Sequence, residues 1–99
     1  MPYIKPDDRA KLNFYMEEVV RQLRWVEPDI LKRTGPTNYV ITRIVARALE
    51  PEEGWSYSSI SRALAIFNDA ATEMRRRLMD TREDNAIERN GDIPEYEVI

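Results

Sequence analysis

The most constraining feature of this chain is a run of apolar residues spaced alternately four and three apart. The run consists of Ile60, Leu64, Phe67, Ala71, Met74 and Leu78. This spacing brings every member to one face of an α-helix and is typical of the a and d positions of a coiled coil. Ser56 is expected to cap the helix, because Trp55 and Ile60 have the spacing of a hydrophobic staple around it. We therefore predict a long helix over residues 56–79.

A second, smaller apolar stripe adjoins the first on the same helix. It is formed by Ala63, Ile66 and Ala70, so one stripe can enter the chain's own core while the other meets a partner. A chain of 99 residues also has room for only a modest core. We therefore predict a homo-oligomer, with a dimer as the first expectation. Its predicted interface residues are Ala63, Ile66, Phe67, Ala70 and Met74.

Two further helices are predicted upstream of this one. Residues 6–26 carry an apolar stripe at intervals of three and four, and the helix is expected to end just before Pro28. Residues 28–35 are interpreted as a connector with room for one short helical turn. The second helix is predicted over residues 38–49 with Thr37 as its N-cap, because its β-branched residues follow a helical rhythm and break the alternation of a strand.

The C-terminal part of the chain is strongly charged. Residues 80–89 are expected either to extend the third helix or to form a separate helix after a break near Thr81. Asn90 and Gly91 both tolerate the left-handed conformation, so they predict the end of helical structure.

The predicted architecture follows from these elements. We expect one all-α domain over residues 1–99, built as a bundle of three main helices with a long third helix. Residues 1–5 are expected to form an N-terminal arm, and residues 90–99 a C-terminal tail. With 42% hydrophobic residues, a single soluble domain is the natural expectation for this length.

The composition excludes several classes of function. The chain has 15 Lys and Arg against 18 Asp and Glu, a net charge of −3, and neither Cys nor His. Disulfides, Cys or His zinc sites, thiol nucleophiles and Ser-His-Asp catalysis are therefore excluded. The negative balance disfavours nucleic acid as a partner. Because we find no apolar run of about 18 residues and no secretory leader, we expect a cytoplasmic protein without a membrane partner. We also expect no enzymatic activity, cofactor or metal.

Arg75, Arg76 and Arg77 form the one dense basic run. Guanidinium groups bind oxyanions bidentately, so the run is a candidate site for phosphate or carboxylate. Three consecutive helical residues spread over about 200°, however, so the three side chains cannot all reach one ligand. The favoured alternative is a set of cations near a helix C-terminus, paired with acidic neighbours such as Glu73 and Asp80.

A polar edge interrupts the apolar second helix. It contains Asn38, Tyr39, Thr42 and Arg43, which can present hydrogen bonds to a ligand or partner from one face. Capping and surface solvation explain the same residues equally well.

Four aromatic residues also have two interpretations. They could form a stacking platform for a base, but at helical or staple spacing we expect them in the core. These residues are Tyr15, Trp25, Trp55 and Tyr57.

Three segments of the chain resemble a known family. They are Met1-Pro2-Tyr3-Ile4, Asn38-Tyr39-Val40-Ile41-Thr42-Arg43 and Asn90-Gly91-Asp92. The chain resembles the DUF6899-type family of small helical proteins of bacteria and their phages. The resemblance implies a prokaryotic or viral origin and no known activity, so no catalytic residue is carried over. The residues that it favours for ligand or partner binding are Asn38, Tyr39, Thr42, Arg43, Arg76 and Arg77. A structural alternative is that Arg43 or Arg77 holds the tail through Asp92.

Two functions remain open at this point. The first, which we favour, is a non-enzymatic interaction protein that assembles with itself and can also bind a host protein. The second is a phage anti-defence protein that sequesters a phosphorylated small molecule or nucleotide signal in the host cytoplasm. In that case Arg43, Arg76 and Arg77 hold the phosphate. Tyr39 or Trp25 then stacks on the base.

Overall fold

The computed structural model describes residues 3–97. Its helices are α1 (Pro6–Val26), α2 (Thr34–Leu49), α3 (Tyr57–Met74) and α4 (Asp80–Asn90). A π-helical turn, Arg75–Met79, joins α3 to α4 without a break, and a 3-10 turn follows at Pro94–Tyr96. Residues 57–90 thus form a continuous helix of 34 residues, here called the long helix. The prediction of an all-α fold with three main helices and a long third one is confirmed, and the described residues contain no strand.

The bounds of α1 are those predicted from the sequence. Pro6 lies in the first turn, where its missing N–H costs no hydrogen bond, and Asp7 and Asp8 place negative charge at the positive helix end. The helix ends at Val26 because Glu27, which precedes a proline, adopts an extended conformation with φ −139° and ψ 98°.

The start of α2 corrects two predictions. The helix begins at Thr34, four residues earlier than predicted, because the first turn needs no N–H partners and therefore accepts Pro36. Thr37 is not the N-cap: it lies inside the helix, and its Oγ1 donates a hydrogen bond of 2.8 Å to the carbonyl of Arg33. The connector before α2 holds turns in place of a short helix. The Arg33 guanidinium donates to the carbonyls of Glu27 at 2.8 Å and Pro28 at 2.7 Å.

Ser56 caps α3 as predicted, and the cap is reciprocal. The Ser59 N–H donates to Ser56 Oγ at 3.2 Å, while the Ser56 N–H donates to Ser59 Oγ at 2.8 Å. This arrangement is a capping box in which serine replaces the usual Glu or Gln at the third helical position. Ser59 is only 4% exposed, so these bonds are partly shielded from water.

The long helix continues past the predicted end near Met79, and residues 80–89 extend it. It ends at Asn90, where Gly91 adopts a φ of 83° and donates its N–H to the Ile87 carbonyl at 2.7 Å. The predicted stop at Asn90-Gly91 is therefore confirmed. The predicted arm and tail include four residues, Met1, Pro2, Val98 and Ile99, that lie outside the described residues.

The chain divides into two compact units, Met1–Leu64 and Ala65–Ile99. In the first, α1 packs against α2, and Val45 is the one buried apolar residue among those described. The half-buried apolar residues of this unit include Val19, Leu23, Val40 and Leu49. In the second unit, no described residue is buried. The assignment of residues 1–99 to a single domain stays a prediction.

Candidate interaction surface

The predicted interface residues form an apolar face on the long helix that solvent reaches. Ala63 is partly covered, whereas Ala70 is exposed. Ile66 is 43% exposed, Phe67 38% and Met74 66%. The other large seam residues, Ile60, Leu64 and Leu78, are exposed as well. Both stripes of the helix are thus reached by solvent, and we call them together the apolar face.

The π-helical turn changes the register of this face. The N–H of Asp80 donates to the carbonyl of Arg75, five residues earlier, so this turn contains one residue more than an α-helical turn. Met79 thereby follows Met74 by one complete turn, and Ala86 follows Met79 at the heptad distance. Continued α-helical spacing after Leu78 would place polar residues on the face. The π turn instead adds Met79, Ala86 and Ile87 to the apolar surface of the C-terminal half.

The polar edge of α2 forms two side-chain pairs, each one helical turn apart. Thr42 Oγ1 donates to Asn38 Oδ1 at 3.1 Å. Arg43 Nη1 donates to Tyr39 Oη at 2.7 Å, and its Cζ lies 5.7 Å from the centre of the Tyr39 ring, within the range of a cation–π contact. All four side chains are exposed. The edge therefore presents a pre-oriented guanidinium with N–H groups still available for a further acceptor.

Arg76 is held by an acidic neighbour, as one interpretation of the arginine run proposed. Its Nη2 lies 2.6 Å from Glu73 Oε1 and its Nε lies 3.2 Å from Oε2, a bidentate pair one turn apart. Arg77 is exposed, and within the second unit no ion pair joins it to Asp92. The Asp92 carboxylate accepts instead from the N–H of Ile93 at 2.8 Å. The proposed tail contact through Arg77 is therefore wrong.

The family can now be assigned. A family described as a domain of unknown function (DUF6899) matches residues 1–93. The chain belongs to the DUF6899 family. No curated protein and no solved structure matches it. The DUF6899 match covers all four helices, the polar edge, the arginine run and the apolar face, and it ends before the 3-10 turn.

The aromatic residues of this DUF6899 protein do not lie in a core, which corrects the expectation from their spacing. Tyr57 is 90% exposed and Trp25 80%, while Tyr15 is exposed and contacts Phe14 edge-to-face at 5.5 Å. Periodicity identifies the face of a helix that carries apolar side chains. It does not say whether the same chain covers that face.

Sequence reasoning missed one ion-pair cluster on α1. Arg21 Nη2 lies 2.6 and 2.7 Å from the two carboxylate oxygens of Glu18, and Gln22 Nε2 donates to the same group at 3.1 Å. These hydrogen bonds, the one from Arg21 foremost, hold the pKa of Glu18 below its ordinary value. The i, i+3 spacing of Glu18 and Arg21 was the available signal.

Three surface depressions of the described chain each lie along a single helix. One, of about 460 Å³, is lined by Arg82, Asn85, Glu88 and Arg89 on α4, and the other two lie on α1. Among residues 3–97, no group of three or more Asp, Glu, Cys or His is placed to hold a metal ion. None of the helices in the described part of the chain is long and apolar enough to cross a membrane.

Proposed function

We propose that this chain is a small non-enzymatic interaction protein, encoded by a bacterium or phage and acting in the cytoplasm, that assembles with copies of itself as a dimer. The observation that carries the proposal is the solvent-exposed apolar face of the long helix. A lone helix is marginally stable in water and gains most of its stability by burying such a face. The second unit buries none of its described residues, which supports cover by a partner.

A single charge in the apolar face tests this assignment. Ala70→Glu buries an unpaired carboxylate in the second stripe, so we expect it to weaken the dimer by about 3 kcal/mol or more. Ala65→Glu is the matched control, because Ala65 is exposed and lies about 140° around the helix from Ala70. In light scattering after gel filtration, wild type and A65E should have the dimer mass and A70E the monomer mass. If A70E has the same mass as the wild type, this interface is rejected.

The exposed Arg43–Tyr39 pair supports a second candidate function. We propose as the alternative that the chain sequesters a phosphorylated small molecule, such as a nucleotide signal, for a phage countering host defence. The Tyr39 ring and hydroxyl orient the Arg43 guanidinium, which lowers the entropy lost when it binds a phosphate.

A nucleotide panel in a thermal-shift assay tests the alternative. Stabilisation should be lost in Arg43→Ala, while a variant of Arg47, an exposed arginine in the last turn of α2, to alanine should respond like wild type. A flat response across the panel argues against this function. A host protein recovered with the wild-type chain and lost with A70E would instead assign the apolar face to a hetero-complex.

A further inference from the structure

We infer that two copies of this chain pair antiparallel along α3, so that an acidic segment of one copy lies against the arginines of the other. The inference rests on the self-association proposed above and names its orientation and register. The acidic segment consists of Glu50, Glu52 and Glu53 and precedes α3. The arginine run follows α3 and lies in the π-helical turn Arg75–Met79.

Near each end of α3, two charged side chains form no ion pair with another described residue. They are Glu52 and Glu53 before the helix and Arg75 and Arg77 after it, and all four are exposed. Arg76, between the two arginines, pairs with Glu73. Opposite charges therefore remain available before the first turn and after the last turn of the same helix. Because α3 has 18 residues, its length is about 27 Å.

Charge then selects one orientation of the pair. In a parallel pair, equal residues lie side by side, so the arginines of one copy meet those of the other and the glutamates meet glutamates. Like charges held side by side repel one another. In an antiparallel pair, each acidic segment lies at the end where the other copy carries its arginines. The apolar face is covered in both cases, but only the antiparallel pair joins opposite charges.

The heptad pattern fixes the register of an antiparallel pair. Ile60, Phe67 and Met74 occupy one heptad position, and Tyr57, Leu64 and Ala71 occupy the other. Antiparallel helices layer residues of the first kind against residues of the second.

With Leu64 opposite Phe67 of the second copy, Ile60 faces Ala71 and Tyr57 faces Met74. These layers use α3 from its first residue to its last. They cover Tyr57 and Met74, two of the most exposed apolar residues of the helix. The charged residues follow immediately outside the last layers, which is where charged pairs flank an apolar seam.

Single cysteines test the orientation, because the natural chain contains none. We expect that neither Ile60→Cys nor Ala71→Cys alone forms a disulfide-linked dimer under mild oxidation, whereas an equimolar mixture forms the 60–71 heterodisulfide, identified by mass spectrometry. Disulfides within each separate variant show a parallel pair and overturn the inference. The absence of any disulfide, with the dimer intact, overturns this register.

Charge reversal supplies a second, independent readout. Glu52→Arg with Glu53→Arg should raise the dimer dissociation constant by roughly 3- to 30-fold at low salt. Adding Arg75→Glu with Arg77→Glu should return the dissociation constant to the wild-type value. High salt should reduce the difference in dissociation constant between the wild type and the first variant. No weakening in the first variant, or no recovery in the combined one, contradicts the antiparallel contact. If the wild-type chain is a monomer at every concentration, the proposed function itself fails, a result distinct from a dimer with the wrong cross-links.

Discussion

The capping box of α3 allows a prediction with a defined magnitude. Ser59→Ala removes the Ser59 hydroxyl, which makes two hydrogen bonds to the Ser56 backbone. Its Oγ accepts from the Ser56 N–H at 2.8 Å and donates to the Ser56 carbonyl at 3.1 Å. Loss of a hydrogen bond of this kind costs about 1 kcal/mol. Ser56→Ala removes the acceptor of the Ser59 N–H, and loss of an N-cap costs about 1 kcal/mol as well. Each variant should therefore lower the midpoint of thermal unfolding by about 4–8 °C.

The assay is thermal unfolding followed by circular dichroism at one protein concentration, since the midpoint of a self-associating protein depends on its concentration. Ser61→Ala is the matched control, because Ser61 is exposed in the same helix and alanine favours helix slightly. The double variant S56A/S59A should cost less than the sum of the two single variants, because each change removes bonds to the other residue. Unfolding midpoints for S59A and S61A that do not differ would refute the role of the capping box.

Two other predictions concern backbone conformation and pH. Gly54→Ala should lower the free energy of unfolding by about 1 kcal/mol, because Gly54 has a φ of 91°, a backbone conformation that alanine adopts only with strain. Denaturant titration of the variant checks this, and an unchanged or raised free energy of unfolding contradicts it. The hydrogen bond from Arg21 lowers the pKa of Glu18, so the pair stabilises the folded chain above the ordinary carboxyl pKa and this contribution is lost as the pH falls through the lowered value. Glu18→Gln should reduce the acid sensitivity of the unfolding midpoint between about pH 6 and about pH 3, and an unchanged profile contradicts the assignment.

The helix boundaries that local chemistry determines were predictable from the sequence. Pro6, Pro28 and Gly91 each change the backbone at a known position, and the observed bounds of α1 and the end of the long helix follow from them. The start of α2 was missed because a Gly-Pro pair normally signals a loop. In the first helical turn the missing N–H of Pro36 costs nothing, and this exception depends on the turn that precedes it.

The surface was predictable only in part. The polar edge of α2 could be read from i, i+4 spacing, which brings Asn38 to Thr42 and Tyr39 to Arg43. The π turn could not be read from the heptad rule, although the five-residue step from Met74 to Met79 was its signal. Exposure was the hardest property, because a periodic apolar pattern is the same whether the cover comes from the chain itself or from a second copy.

The most direct test of self-association is native mass spectrometry of the protein purified from cells, followed by the same sample after denaturation. We predict a complex of twice the 11.7 kDa chain mass without additional small-molecule mass, dissociating to single chains on denaturation. A single chain of 11.7 kDa at every concentration contradicts it.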